Sequence, residues 1–213
     1  FDFRHRRGIT EDEPLPARAV NAYAASKRAA EDVVRAAASQ GQDCVILRPR
    51  GIIGPWDQAL APRLARVARR GRVPLPGGGR AQVDVTCMDN VVDALLAAAQ
   101  AGPQVRGRAY NISNGAPLSV AELVSAALDA MGIRARLVPL PVGPAIAAAR
   151  LLEGVARVTG GWEPPVTAYS LALLAYDQTL DISAARRDLG WQPRQSVADG
   201  LAALGRWWRD QHG

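Results

Sequence analysis

A chain of 213 residues, 48% hydrophobic and 22% charged, can bury a substantial core and has the composition of an ordinary globular protein. It contains no run of about 18 uncharged apolar residues, so no membrane span is expected. The 26 Lys and Arg against 20 Asp and Glu leave a formal charge of +6, which permits nucleic-acid binding without requiring it.

Residues 1–20 read as loop: basic residues, then Glu11-Asp12-Glu13, then Pro14 and Pro16. No secretory signal is visible there, and Phe1-Asp2-Phe3-Arg4 reads like the interior of a protein. We therefore expect a longer native chain. Asn21 is a plausible N-cap for an Ala-rich helix running to about Ser39 and ended by Gly41. Cys44-Val45-Ile46-Leu47 is a short apolar run of the kind a buried parallel strand requires, stopped by Pro49. Gly51-Ile52-Ile53-Gly54-Pro55 reads as the turn at its carboxyl end. A helix from about Ala59 to Arg70 would place Arg63, Arg66 and Arg70 on one solvated face. No aromatic residues are interleaved there, as single-strand binding would favour, and no nucleic-acid partner is expected.

Pro74, Pro76 and Gly77-Gly78-Gly79 read as loop, and Gln82 to Thr86 alternates like a strand. Asp89 can cap a helix to about Ala101. Ala109 to Ile112 reads as a strand with Asn114-Gly115 as its turn. Ser119 and Glu122 form a capping box opening a helix to about Met131. A strand at Arg136 to Pro139 and a helix at about Ala145 to Val158 follow, the latter with Arg150, Glu153 and Arg157 along one face. Thr179-Leu180-Asp181 leads into a helix from Ser183 to Leu189, and the last helix runs from about Ser196 to Asp210. Helices alternating with short apolar strands make the class α/β.

Two Cys, at 44 and 87, suggest neither a disulfide framework nor a metal site, and a reducing cytoplasm is the default. The two His, at 5 and 212, lie near the termini, and no spacing of carboxylates suggests a metal centre.

Lys27 is the sole lysine; every other basic side chain is arginine. It stands four residues after Tyr23 in Tyr23-Ala24-Ala25-Ser26-Lys27, and residues i and i+4 share a helix face. An ammonium favours the charged form of a neighbouring phenol. Moving a phenol from about pH 10 to near neutrality needs about 4 kcal/mol. Such a phenol can take a proton from an alcohol or give one to a carbonyl oxygen. Ser26 reads as a helix-packing residue.

Five further segments follow in order: Arg48-Pro49-Arg50-Gly51-Ile52-Ile53-Gly54-Pro55; Val83-Asp84-Val85-Thr86-Cys87-Met88-Asp89-Asn90-Val91; Tyr110-Asn111-Ile112-Ser113; Thr179-Leu180-Asp181-Ile182-Ser183-Ala184-Ala185-Arg186; and Leu189-Gly190-Trp191-Gln192-Pro193. With Tyr23-x-x-x-Lys27, this set closely resembles the extended short-chain dehydrogenase/reductase family, the NAD-dependent epimerases and dehydratases, over essentially the whole chain.

The resemblance implies the C-terminal part of a Rossmann-type doubly wound parallel sheet plus a smaller, mostly helical substrate-binding subdomain. Residues 1–115 would belong to the dinucleotide side, with a substrate-side excursion at about 54–86, and residues 116–213 to the substrate side. It implies Tyr23 as general acid/base and Lys27 as the residue that binds the nicotinamide ribose and eases loss of the phenolic proton. It also implies contact of Pro49, Arg50, Gly51 and Ile52 with the nicotinamide of NAD or NADP, and pairing into a homodimer through the helix 21–39.

Two departures matter. No G-x-x-G-x-x-G or G-x-G-x-x-G loop occurs, and the family's catalytic Ser or Thr would fall upstream of Phe1. The missing N-terminal Rossmann half is therefore expected in the full-length protein or on a separate chain, and the strand pair near 44–48 and 108–112 is expected to carry an unpaired edge.

Ile53 stands where sugar-nucleotide members often carry an aromatic residue. Ile146, Leu151, Leu152 and Val155 present apolar faces, and Trp56 and Trp162 are candidate pocket walls. These lean toward a small-molecule substrate that is hydrophobic and sterol-like, as in the 3β-hydroxysteroid dehydrogenase-like branch. The alternatives are a nucleotide-sugar epimerase or dehydratase, using the Arg63 face or Arg80 for diphosphate, and a non-catalytic NAD(P)-sensing protein.

Overall fold

The computed structural model describes residues 4–14, 16, 19–159 and 166–212. Its first element is a strand where the sequence reads as loop. β1 (Arg6–Ile9) has no apolar run; distant groups hold it. Arg6 N–H donates to the Asp177 carbonyl at 2.8 Å, Arg7 Nε donates to the Asp177 carboxylate at 2.8 Å, and Gly8 N–H donates to Thr179 Oγ1 at 2.9 Å.

α1 (Ala22–Ser39) starts where its cap predicts, with Asn21 Oδ1 accepting the Ala24 N–H at 2.8 Å. No residue of this 18-residue helix is buried. β2 (Ile46–Pro49) and β3 (Ile52–Ile53) follow. α2 (Leu60–Ala68) is shorter than expected, so Arg70 lies beyond its end rather than on one face with Arg63 and Arg66. Its cap is Asp57, whose carboxylate accepts the N–H groups of Ala59, Leu60 and Ala61 at 2.8, 2.9 and 2.8 Å.

β4 (Arg72–Pro76) is a second strand in a stretch read as loop. Its prolines misled because they cannot donate to a ladder, but a strand paired on one side only accommodates them. Val73 and Leu75 are buried, and alternation does the rest. The alternating segment after the glycines splits into β5 (Gln82–Val83) and β6 (Thr86–Cys87). α3 (Met88–Gln100) starts two residues earlier than a cap at Asp89 predicts, with Cys87 at the N-cap and Asp89 in the first turn.

β7 (Ala109–Ile112), α4 (Val120–Met131) and β9 (Arg136–Leu140) lie close to their expected places, both halves of the Ser119/Glu122 capping box are formed, and a short strand not expected from the sequence, β8 (Leu118–Ser119), precedes α4. α5 (Val142–Thr159) is followed by an unanticipated α6 (Ala168–Ala175), opened by a Thr167/Ser170 capping box. β10 (Gln178–Leu180), α7 (Ser183–Leu189) and α8 (Val197–His212) complete the order. Trp162 and the side chain of Arg157 lie outside the described residues. Among the described residues no helix is long and apolar enough to cross a membrane.

The class is α/β, and among the described residues every strand pairing but one is parallel. β2 pairs with β7 from Ile46↔Ala109 to Pro49↔Ile112, β3 with β6, and β4 with β9 over five residues. A fourth sheet has the order β1-β10-β5-β8, with β8 antiparallel. Among the described residues β2 has a strand partner on the β7 side only. One core lies under α8 and α4, built from Ile53, Cys87, Met131, Leu201, Leu204 and Trp208. Another packs Tyr110, Ile112, Ile182 and Trp191 between β7, α3 and α7.

α1 is fixed to β2 by one ion pair. Arg48 Nε and Nη2 donate to Glu31 Oε1 and Oε2 at 2.8 and 2.6 Å, and Arg35 adds a contact at 3.0 Å. The hydrogen bonds from Arg48, helped by its charge and that of Arg35 against the cost of burial, hold the Glu31 carboxyl below its ordinary value of 4.5. A lowered native value stabilises the fold above the unfolded value, and that stability is lost as pH falls through the native one. Glu31→Gln is therefore expected to flatten the acid side of the stability curve. Urea midpoints at about pH 6 and about pH 3.5 should differ less in the variant than in the native chain.

Candidate active site

Tyr23 and Lys27 occupy the first turns of α1, and both are exposed, Tyr23 by 65%. Lys27 Nζ lies 5.6 Å from the centre of the Tyr23 ring, within cation–π range. Ser26 is exposed rather than packed, and its hydroxyl donates to the Tyr23 carbonyl at 2.9 Å.

The Glu31–Arg48 pair sets the level of the helix against the strand. Four residues toward the helix start is about 6 Å, and two residues toward the strand's carboxyl end is about 6.6 Å. Lys27 thus comes level with Arg50, and Tyr23 with the turn beyond it. This is where open α/β sheets take their ligands, outside the carboxyl ends of the strands.

The 49–52 turn is held rigidly. Arg50 N–H donates to the Ile112 carbonyl at 2.9 Å, and Thr86 N–H to the Gly51 carbonyl at 3.1 Å. The fully buried Thr86 hydroxyl lies 2.8 Å from the Arg50 carbonyl and 3.0 Å from that of Ile112. Pro49 and Gly51 are exposed and Ile52 half-buried, paired with Thr86. A Cβ built on Gly51 would meet only Leu60 Cδ1, at 3.9 Å, so the turn is open on that side.

The Arg50 side chain turns inward, and its Nη2 donates to the buried Gln178 Oε1 at 3.1 Å. Asp84, only 3% exposed, lies within electrostatic reach. Its Oδ2 accepts the Leu180 N–H at 2.6 Å, while its Oδ1 is buried with no hydrogen-bond partner. Burial pushes the Asp84 carboxyl up, opposed by the Leu180 N–H, Arg50 and Ser113. Burial likewise raises the Tyr169 phenol, opposed by the charge of Arg50 and helped by Tyr23. Asp84 lies within the Val83–Val91 motif, whereas Tyr169 and Gln178 fall in no motif that the sequence presents.

Trp56 stands 72% exposed, its ring 6.0 Å from that of Trp207 on α8. On α5, Leu151 and Val155 are exposed, while Ile146 packs against Ala149, Ala168 and Leu171. Among the described residues no group of three or more His, Cys, Asp and Glu is placed to hold a metal.

Residues 4–113, slightly more than half of the chain, match the NAD dependent epimerase/dehydratase family, and the chain belongs to that family. It is 39% identical over 220 residues to the uncharacterized protein YbjS of Escherichia coli K12, covering 100% of this chain and 64% of that one. It is 40% identical over 188 residues to 2-alkyl-3-oxoalkanoate reductase of Stenotrophomonas maltophilia, covering 85% and 56%. To the decarboxylating sterol-4-alpha-carboxylate 3-dehydrogenase of Saccharomyces cerevisiae it is 32% identical over 211 residues, covering 94% and 60%. The chain thus spans about 60% of the length of these relatives.

Among solved structures, gox2253 aligns with a TM-score of 0.72 at 22% identity, covering 97% of this chain and 61% of that one. MoeE5, in complex with UDP-glucuronic acid and NAD, aligns with 0.68 at 25% identity, covering 98% and 61%. The fold is therefore the Rossmann-like one of NAD-binding epimerases and dehydratases.

Proposed function

We propose that the protein is an NAD(P)-dependent oxidoreductase acting on a secondary alcohol or ketone, with Tyr23 as its acid/base. The observation that supports this is the exposed Tyr23–Lys27 pair on one helix face, which the helix and strand rises counted from the Glu31–Arg48 pair bring level with the turn at Pro49–Ile52. The residues present fit the nicotinamide end of a dinucleotide: an ammonium for ribose hydroxyls, and an exposed glycine at 51 whose Cα faces only Leu60. When bound, the dinucleotide gives or takes the hydride at the carbinol carbon. In reduction Tyr23 Oη–H donates its proton to the substrate oxygen as that oxygen takes up the carbonyl electron pair; in oxidation Tyr23 Oη takes the proton back. Lys27 holds the ribose and stabilises the phenolate. Pro49, Gly51 and Ile52 would lie against the nicotinamide ring when the dinucleotide is bound. In the same reading α1, with no buried residue, is the helix through which two copies pair.

The substrate class follows from the relatives. One is named for a 3-oxo acid and one for a 3-dehydrogenation beside a 4-carboxylate. Both names put a carboxylate on the carbon next to the reacting one. A hydrophobic 3-hydroxy or 3-oxo acid accommodates this together with the apolar face of α5. The test is a thermal-shift panel on the full-length protein. A dinucleotide with a 2-alkyl-3-hydroxyalkanoate should raise Tm beyond the dinucleotide alone. A rise with UDP in place of the acid would favour a nucleotide-sugar enzyme instead.

A further inference from the structure

We propose that the exposed face of α2, with Trp56 before it and the start of β4 after it, is a docking surface for a membrane containing anionic phospholipid. The surface is built without Tyr23 or Lys27, so it stands whether or not those residues move a proton.

Charge is the first observation. From Gln58 to Val83 the chain has six arginines and no Asp or Glu. Arg63, Arg66, Arg69, Arg70 and Arg72 are all exposed, and among the described residues none of their side chains has an ion pair or hydrogen bond. Across the β4–β9 ladder Arg72 stands opposite Arg136, which is likewise exposed and unpaired. Like charges on neighbouring strands repel. The carboxyl end of α2 favours a cation or two in its last turn, which leaves most of the cluster without a structural role. A face made for solubility alone carries both signs interspersed. Elsewhere this chain does so, pairing Arg35 with Glu31, Arg106 with Asp43 and Arg187 with Asp188.

Apolar side chains are set among these cations. Leu60 and Val67 are 46% and 44% exposed on the helix face that also carries Arg63. Trp56 is 72% exposed and is the one non-glycine residue among the described ones with a positive φ, 68°. Bulky side chains avoid that region, so the neighbours impose it. A Cβ on Gly54 would fall 2.9 Å from Met88 Cβ, and the Asp57 carboxylate is fixed by the N–H groups of Ala59, Leu60 and Ala61. The indole leans on Trp207, which packs with Leu64 and Ala65 of α2 against one core, so it stands at the start of the basic face. A strained backbone that holds an indole out in water points to something the indole meets there.

A nucleic-acid backbone would take the arginines and gain nothing from Leu60 and Val67. An anionic bilayer takes both: guanidinium groups meet lipid phosphates while Trp and Leu enter the headgroup boundary. Leu60 Cδ1 lies 3.9 Å from a Cβ built on Gly51, so the docked face would border the 49–52 turn.

The test is co-sedimentation of the full-length protein with vesicles of phosphatidylcholine alone and of phosphatidylcholine with about one-third phosphatidylglycerol. Binding to the mixed vesicles should be at least about tenfold tighter than to the neutral ones and should weaken as salt rises. Arg63→Gln/Arg66→Gln/Arg70→Gln should weaken it by about 100-fold, about fivefold per arginine. Trp56→Gly/Leu60→Ser should weaken it by about tenfold and leave the salt dependence in place. Neither set removes an ion pair, and glycine suits the positive φ at 56, so thermal melts should stay close to the native one. No preference for the mixed vesicles, or equal binding by the native protein and both variants, overturns the docking surface. So does tighter binding to random duplex DNA than to the mixed vesicles, unchanged in Trp56→Gly/Leu60→Ser, which assigns the arginines to nucleic acid. Vesicle binding as predicted in a protein that oxidises no alcohol keeps the docking surface and removes only the Tyr23 reading.

Discussion

Tyr23→Phe in the full-length protein is expected to lower kcat for alcohol oxidation by about 10³-fold, within the range that a positioned acid/base contributes. The ring stays, the Lys27 ammonium keeps its aromatic partner, and no core contact is lost, because the side chain is 65% exposed. Stability and dinucleotide affinity should therefore be unchanged. Steady-state kinetics alongside a thermal melt check this. A fall smaller than about tenfold would mean that another group moves the proton.

The largest effect on stability is expected at Asn90, which is fully buried on α3. Its Nδ2 donates to Asn114 Oδ1 at 3.0 Å and to the Gln195 carbonyl at 2.8 Å. Its Oδ1 accepts the N–H groups of Arg194 and Gln195, both at 2.9 Å. Asn114 repeats the pattern, accepting the Cys87 N–H at 2.9 Å and donating to the Gln195 carbonyl at 2.8 Å. Two side-chain amides thus satisfy the backbone of 194–195 where it passes from Trp191 into α8. Asn90→Leu preserves approximate volume and strands several of those groups in the interior. The expected cost is about 4 kcal/mol, since each buried unpaired donor or acceptor costs about 1–3 kcal/mol. A urea midpoint moved by less than the equivalent of about 1 kcal/mol would show that the 194–195 backbone finds other partners.

What the sequence disclosed and what it hid have separate physical origins. α1 and α4 were legible because their caps are local: Asn21 and Ser119 each satisfy an N–H within the next three residues. β2 and β7 were legible from short apolar runs. β1 was not, because a strand of two arginines, a glycine and an isoleucine is held by Asp177 and Thr179, about 170 residues away. β4 was hidden by its prolines and depends on β9 for its ladder.

The site divides in the same way. Tyr23, Lys27 and the 49–52 turn lie close enough in sequence for motif spacing to find them. Gln178, Asp84 and Tyr169 belong to three distant segments, of which the first two are brought together by the pairing of β10 with β5. Arg50 was in view as a cofactor contact because of its neighbours in sequence. Its guanidinium donates to Gln178 and lies within electrostatic reach of Asp84, contacts that no local pattern encodes.

Turnover by the full-length native protein tests the central claim most directly. The enzyme is supplied with NAD or NADP and either a 2-alkyl-3-hydroxyalkanoate or UDP-glucose, and the formation of reduced nicotinamide is followed. Reduced nicotinamide accumulating in proportion to 3-oxo acid, with none formed from UDP-glucose, is the predicted result. Epimerisation or dehydration of the sugar nucleotide without net reduction, and no oxidation of the hydroxy acid, would contradict it.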